Sequence, residues 1–171
     1  MNFDHTENYW GLNKHMLILE YFRNLYEKDK SKSKVDSSNL MWAISFCTHP
    51  KSPIFSVRNK WEEVKKSIMK DEKLNWDKYK DTINQFKETV LTVPEKSYLF
   101  WCEHMYKRED FVRSIDYLKE EDIKRIDLAE DMAAKTPKLY VELARIKEQL
   151  EAEDKGKTED KNKSLADGGQ I

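Results

Sequence analysis

Residues 76–95 read WDKYKDTINQFKETVLTVPE, and this stretch decides the fold. Trp76, Tyr79, Ile83, Phe86 and Val90 recur at steps of three, four, three and four, the period that puts all five on one face of a helix. Thr92, Val93 and Pro94 then close that helix and open another, because a proline in a first turn lacks only an N–H that would have had no partner. The same grammar continues in both directions. Upstream, Val57, Trp61, Val64 and Ile68 step by four, three and four behind Ser56 as a cap. Downstream, Tyr98, Trp101, Cys102, Met105, Val112 and Ile115 follow one another along a long aromatic helix, whose stripe Tyr106 and Phe111 widen beyond a single contact face.

Further out the pattern predicts a first core helix on Leu12, Met16, Leu19, Phe22 and Leu25, ending near Glu27. A lysine-rich loop, Lys28 to Ser38, ends in the capping residues Asp36, Ser37 and Ser38. A short helix from Asn39 to Thr48 buries Leu40, Met41, Ile44 and Phe46 or Cys47, and the corner His49-Pro50-Lys51-Ser52-Pro53 stops it. Toward the other end, Ile123, Ile126, Ala129, Met132 and Ala133 mark a helix over 120–135. Thr136-Pro137 reads as a second cap-then-proline boundary, and Leu139, Leu143, Ile146 and Leu150 form a two-heptad seam beyond it. From Glu151 large apolar residues almost vanish, and the 151–171 tail is expected to be disordered because it cannot offset its ordering entropy by burial.

Glycine placement supports the same class. The four glycines are Gly11, Gly156, Gly168 and Gly169, with none from Leu12 to Lys155. Hairpins and bulges need residues that enter positive φ cheaply, so a sheet protein is disfavoured. Phosphate-cradling loops need the same residue, which excludes Walker and dinucleotide-binding folds. The expectation is one all-α domain of six or seven amphipathic helices over 1–150, followed by the disordered tail.

In the 171-residue chain, 31 Lys and Arg meet 32 Asp and Glu, for a formal net charge of -1, which disfavours a bulk polyelectrolyte binder. Apolar runs fall far short of the roughly 20 residues that span a bilayer, so no membrane association is expected. Met1 to Trp10 carries Asp4 and Glu7 and lacks a basic then apolar leader pattern, which predicts an intracellular setting. Cys47 and Cys102 are too few for a disulfide framework.

Cys47-Thr48-His49 and Cys102-Glu103-His104 invite a zinc reading, but residues two apart on a helix point about 200° away from each other and cannot easily share an ion. The sequence predicts buried cysteines, no metal and no cofactor. Glu62-Glu63 and Glu120-Glu121-Asp122 suit solvated helix faces, the latter also a helix amino terminus. With no Ser/His/Asp or Cys/His signature, no catalysis is expected.

Charge is uneven along the chain: residues 1–80 hold 15 Lys and Arg against 11 Asp and Glu. Arg58, Lys60, Lys65, Lys66 and Lys70 form a candidate phosphate-facing edge for DNA, although Glu62, Glu63, Asp71 and Glu72 dilute its field. The aromatic residues belong mostly to the core. Tyr9, Trp10, Tyr106 and Tyr117 stand out as surplus anchors for a partner protein, and Leu165 and Ile171 as apolar points of a docking tail.

Ser52-Pro53-Ile54-Phe55 before a charged helix, Leu91-Thr92-Val93-Pro94-Glu95-Lys96 between two helices, and Thr136-Pro137-Lys138-Leu139-Tyr140 leading to Leu143 and Ile146 give the chain a resemblance. Together with the Gly168-Gly169-Gln170-Ile171 end, it resembles small helical proteins of tailed bacteriophages, including crAss-like phages. The resemblance implies a non-catalytic virion or packaging accessory, found in the virion or the host cytoplasm. Its partners would be virion proteins or further copies of itself. The alternative is a DNA-binding packaging factor resembling a small terminase subunit.

Overall fold

A helix apolar on every side must be enclosed on every side. Helix α3 (Val35–Thr48) is one: Ser37, Ser38 and all residues from Leu40 to Thr48 are buried. The computed structural model describes residues 3–116, 119 and 122–167, giving the backbone alone for 123, 124 and 153–167. Seven α-helices and no strand occur among the described residues. The chain divides into two compact units, Met1–Thr92 and Val93–Ile171, so the helices expected as one domain over 1–150 are described in two bodies. The boundary falls at the Thr92-Val93-Pro94 break legible in the sequence.

In the first unit α3 is the axle. Helices α1 (Tyr9–Leu12), α4 (Lys60–Val64) and α5 (Lys80–Val90) pack on it, and the chain reaches it through α2 (Glu20–Lys28). Tyr9 and Trp10, expected as surplus anchors, are instead core residues at 0% and 3% exposure. Tyr9 meets Trp42 edge-on at 5.1 Å between ring centroids, and the Trp42 indole donates to the Glu7 carbonyl at 2.9 Å. The backbone N–H of Tyr9 donates to Ser38 Oγ at 2.9 Å and the Trp10 indole to Ser37 Oγ at 3.0 Å. Those two serines, expected as caps, therefore lie inside α3, where their small hydroxyls receive the amino-terminal segment.

The cap comes from further away. Asp29 accepts from Ser37 N at 2.7 Å, and from Ser31 N and Ser31 Oγ at 2.7 and 2.6 Å. Burial alone would raise its pKa, but these hydrogen bonds outweigh burial and hold it below the ordinary carboxylate range. Lys34 Nζ closes the loop on the Asp29 carbonyl at 2.7 Å, and Asn8 Nδ2 donates to Ser33 O at 2.8 Å. Ser33 and Lys34 both sit at positive φ, 56° and 58°.

The expected first helix, Leu12 to Glu27, is broken. Asn13 folds back, its Nδ2 donating to the Tyr9 carbonyl at 3.0 Å, and Leu19 is extended. After that bend Leu12 and Leu19 no longer share a face with Met16 and Phe22. The first two are 43% and 38% exposed, the second two 2% and 0%. The helix expected from Ser56 starts only at Lys60 and leaves Val57 exposed, while Val64 and Ile68 are buried as their spacing predicts. It passes into a π-helical turn, Lys65–Met69, which ends at Lys70 with φ 52°. The 76–95 reading holds: a 3-10 turn, Trp76–Tyr79, leads into α5, which buries Phe86 and ends at Val90.

The second unit is a helical hairpin of α6 (Val93–Arg113) and α7 (Ile123–Asp167). Pro94 occupies the first turn of α6 as the sequence requires. The two helices run antiparallel, with Arg108 Nη2 donating to the Met132 carbonyl at 2.8 Å and the Tyr140 hydroxyl to Glu109 Oε1 at 2.8 Å. Ile146 and Leu150 of the predicted seam are buried, as are Ala129, Leu99, Cys102 and Met105. Thr136-Pro137 is not a boundary: α7 continues through Pro137, correcting the expected pair of helices. Thr136 Oγ1 and Arg108 both donate to Met132 O, which ties the turn before the proline. The bond that proline cannot make, to the Ala133 carbonyl, is missing where Ala133 and Pro137 are both exposed. Tyr117, Glu120 and Glu121 lie outside the described residues. So do the side chains of the expected disordered tail from residue 153 and, from Gly168, its backbone.

Candidate interaction surfaces

The face of α6 opposite its buried stripe carries an aromatic ridge. Leu99, Cys102 and Met105 point inward, so a helical period turns Phe100 and His104 outward. Phe100 is 60% exposed, and its ring lies nearly parallel to His104, with 6.1 Å between centroids and 9° between planes. Trp101 completes the group, edge-on to Phe100 at 5.4 Å and to His104 at 5.8 Å. Val93, 79% exposed, lies two turns before Phe100 on the same side. Sequence reasoning had counted Trp101 with the core and passed over Phe100. Its offset of one residue from Leu99 on a helical wheel was the available signal.

Of the expected anchors, Tyr106 is half-buried toward the hairpin rather than displayed. It lies close enough to Tyr98 and Tyr140 to act on the hydroxyls of both. Burial pushes Tyr98 up to about 12, helped by Cys102, while the hydrogen bond to Glu109 raises Tyr140. Beside them a cavity of about 250 Å³ lies between α6 and α7, with Met105, Val112 and Met132 on its walls. Arg108 Nε is buried there without a hydrogen-bond partner among the described residues. Tyr117, Leu165 and Ile171 cannot be placed, because Tyr117 and Ile171 and the Leu165 side chain are outside the described residues.

The basic edge is only partly an edge. Arg58, Lys66 and Lys70 are exposed. Lys65 is largely covered and paired with Glu62 at 3.0 Å. Lys60 must be withdrawn from a phosphate-facing role: it is 8% exposed, its ammonium donates to the Phe55 carbonyl at 2.9 Å and lies 4.0 Å from the Phe55 ring centroid. Sequence spacing counted its charge but could not see that the turns before α4 fold over it.

Cys47 and Cys102 are both buried and neither is in a disulfide. Burial pushes Cys47 up to about 12 against the opposing pull of the Lys60 charge. His49, in extended backbone beyond the end of α3, is edge-on to Phe3, and His104 lies on Phe100. No group of three or more His, Cys, Asp or Glu converges to hold a metal among the described residues. None of their helices is long and apolar enough to cross a membrane.

The first unit also holds a groove of about 590 Å³ between the end of α2, the first two turns of α3 and the segment 69–79. Leu25, Leu40, Met69 and Leu74 give it apolar walls, and Lys28, Lys30, Asp36 and Asp71 charge its rim. No family model matches this chain, and comparison with curated proteins and with solved structures finds no match.

Proposed function

We propose that this chain is a non-catalytic interaction protein that docks onto another protein through the outer face of α6. The observation that carries the reading is the ridge of Phe100, Trp101 and His104, three rings ordered against one another while Phe100 remains 60% exposed. Rigid aromatics that lose little entropy on contact dominate interface energies, and helical cores rarely leave such a group in water without use. The resemblance to small tailed-phage proteins makes a virion or assembly intermediate the natural source of the partner. The runner-up, a DNA-binding packaging factor acting through residues 58–70, has less support, because Lys60 is enclosed and Lys65 already paired.

The test is affinity capture of phage structural proteins by the wild-type chain and by Phe100→Asp, with helicity checked by circular dichroism. Capture that is lost in the folded variant supports the reading. Equal capture by both, or a wild-type monomer absent from particles, overturns it.

A further inference from the structure

The groove of the first unit has features that neither the packing of α3 nor the α6 ridge explains. Both of its walls are set before any ligand arrives. On one side the Asp29 carboxylate, saturated by Ser31 and Ser37, fixes the 29–34 loop against α3. On the other, Asp71 N closes the π-helical turn on Lys65 O at 3.2 Å, and Lys73 N donates to Asp71 Oδ1 at 3.0 Å. Among the described residues, Ser33, Lys34 and Lys70 are the three non-glycine positions at positive φ. Two lie in the loop that follows Lys30 and the third between Met69 and Asp71, flanking the lining residues rather than among them. Such conformations are unfavourable and persist where the surrounding structure over-determines them, often around ligand clamps.

The volume of about 590 Å³ lies within the range of small-molecule sites, and its floor of Leu25, Leu40, Met69 and Leu74 is aliphatic. Lys28 and Lys30 stand on its rim with no hydrogen-bond or ion-pair partner among the described residues. The Asp29 carboxylate between them in sequence accepts from Ser31 and Ser37 and makes no ion pair with either ammonium. Lining the groove, Lys28 and Lys30 meet Asp29, Asp36 and Asp71, of which Asp29 and Asp71 already accept from backbone N–H groups. An aliphatic floor under unpaired cations selects a particular chemistry.

We propose that this groove binds a small anionic amphiphile, an acyl chain lying on the aliphatic floor with its carboxylate at Lys28 and Lys30. The site is separate from the α6 ridge, and either can fail without the other.

The experiment is a ¹H–¹⁵N NMR titration of the full chain with sodium octanoate, and in parallel with octyltrimethylammonium and octyl glucoside, which keep the chain and change the head. Octanoate is expected to give saturable shifts at the amides of Ser31, Ser37, Met69 and Leu74, with the other two heads at least tenfold weaker. The double variant Lys28→Glu, Lys30→Glu, whose exposed side chains leave the fold intact by circular dichroism, is expected to lose at least tenfold in octanoate affinity. Absence of saturable shifts, equal binding of the cationic head, or octanoate affinity unchanged in the folded double variant would each overturn the proposal.

Discussion

The carboxylate of Asp29 accepts a 2.7 Å hydrogen bond from the backbone N–H of Ser37, so the central helix of the first unit is capped by a residue eight positions upstream. The same carboxylate binds Ser31 twice, which makes one side chain both helix cap and loop clasp. Replacing it removes the cap and releases a loop with two residues at positive φ. Asp29→Ala is expected to destabilise the chain by about 1–2 kcal/mol, read as a lower midpoint in urea unfolding, with the slope unchanged.

The pH dependence of that bond has a definite sign. Asp29 is held below its unfolded value of 3.8, so its contribution is present above that pH and is lost as pH falls through 3.8 and below. Wild type is therefore expected to lose more stability than Asp29→Ala between pH 5 and pH 3, measured by urea midpoints at each pH. Parallel profiles for the two proteins would contradict the hydrogen-bonding account.

Lys60 donates from its buried ammonium to the Phe55 carbonyl. In Lys60→Ala a buried carbonyl loses a donor and a covered aliphatic stem is deleted, each of order 1 kcal/mol, for about 2 kcal/mol of destabilisation in all. Arg58→Ala and Lys66→Ala, both at exposed positions, are expected to stay within about 0.5 kcal/mol of wild type. Thermal melts of the three variants separate the buried lysine from its exposed neighbours.

Pro137 lies inside α7 at an exposed position, where the Ala133 carbonyl has lost its helical donor. Alanine restores that donor and removes a clash worth roughly 3 kcal/mol in an ideal helix interior. Because Thr136 and Arg108 already hold the adjoining turn at Met132 O, the expected gain from Pro137→Ala is smaller, about 1–2 kcal/mol, seen as a higher melting temperature.

The Cys47 thiol is enclosed in α3 and raised to about 12, so little thiolate forms near neutrality and little reagent reaches it. Iodoacetamide labelling at pH 8 is expected to modify Cys47 only as denaturant unfolds the first unit, with peptide mapping identifying the site. Rapid labelling in the native protein would show that α3 opens locally.

Period and proline fixed the helical class and several boundaries directly. Phe86, Val64, Ile68, Ile146 and Leu150 are buried where spacing put them, and Pro94 opens α6, because both signals are local consequences of helix geometry. Tyr9 and Trp10 read as spare anchors because their segment has no period of its own. Their burial depends on Ser37 and Ser38, nearly thirty residues away. The Asp29 cap reaches eight residues and the Lys60 bond five, across turns that carry no helical period, while the passage of α7 through Pro137 leans on Arg108 of the neighbouring helix.

The candidate sites divide along the same line. That Phe100 and His104 share a face follows from 3.6 residues per turn, and the sequence alone determined it. Which face of α6 meets α7 and which meets water was decided by the hairpin, since an aromatic helix offers more apolar surface than one neighbour can cover. Lys28 and Lys30 were visible as charge. Only the tertiary structure joined them to an aliphatic floor built from α2, α3 and segment 69–74, because burial is a property of chain crossings and not of neighbours in sequence.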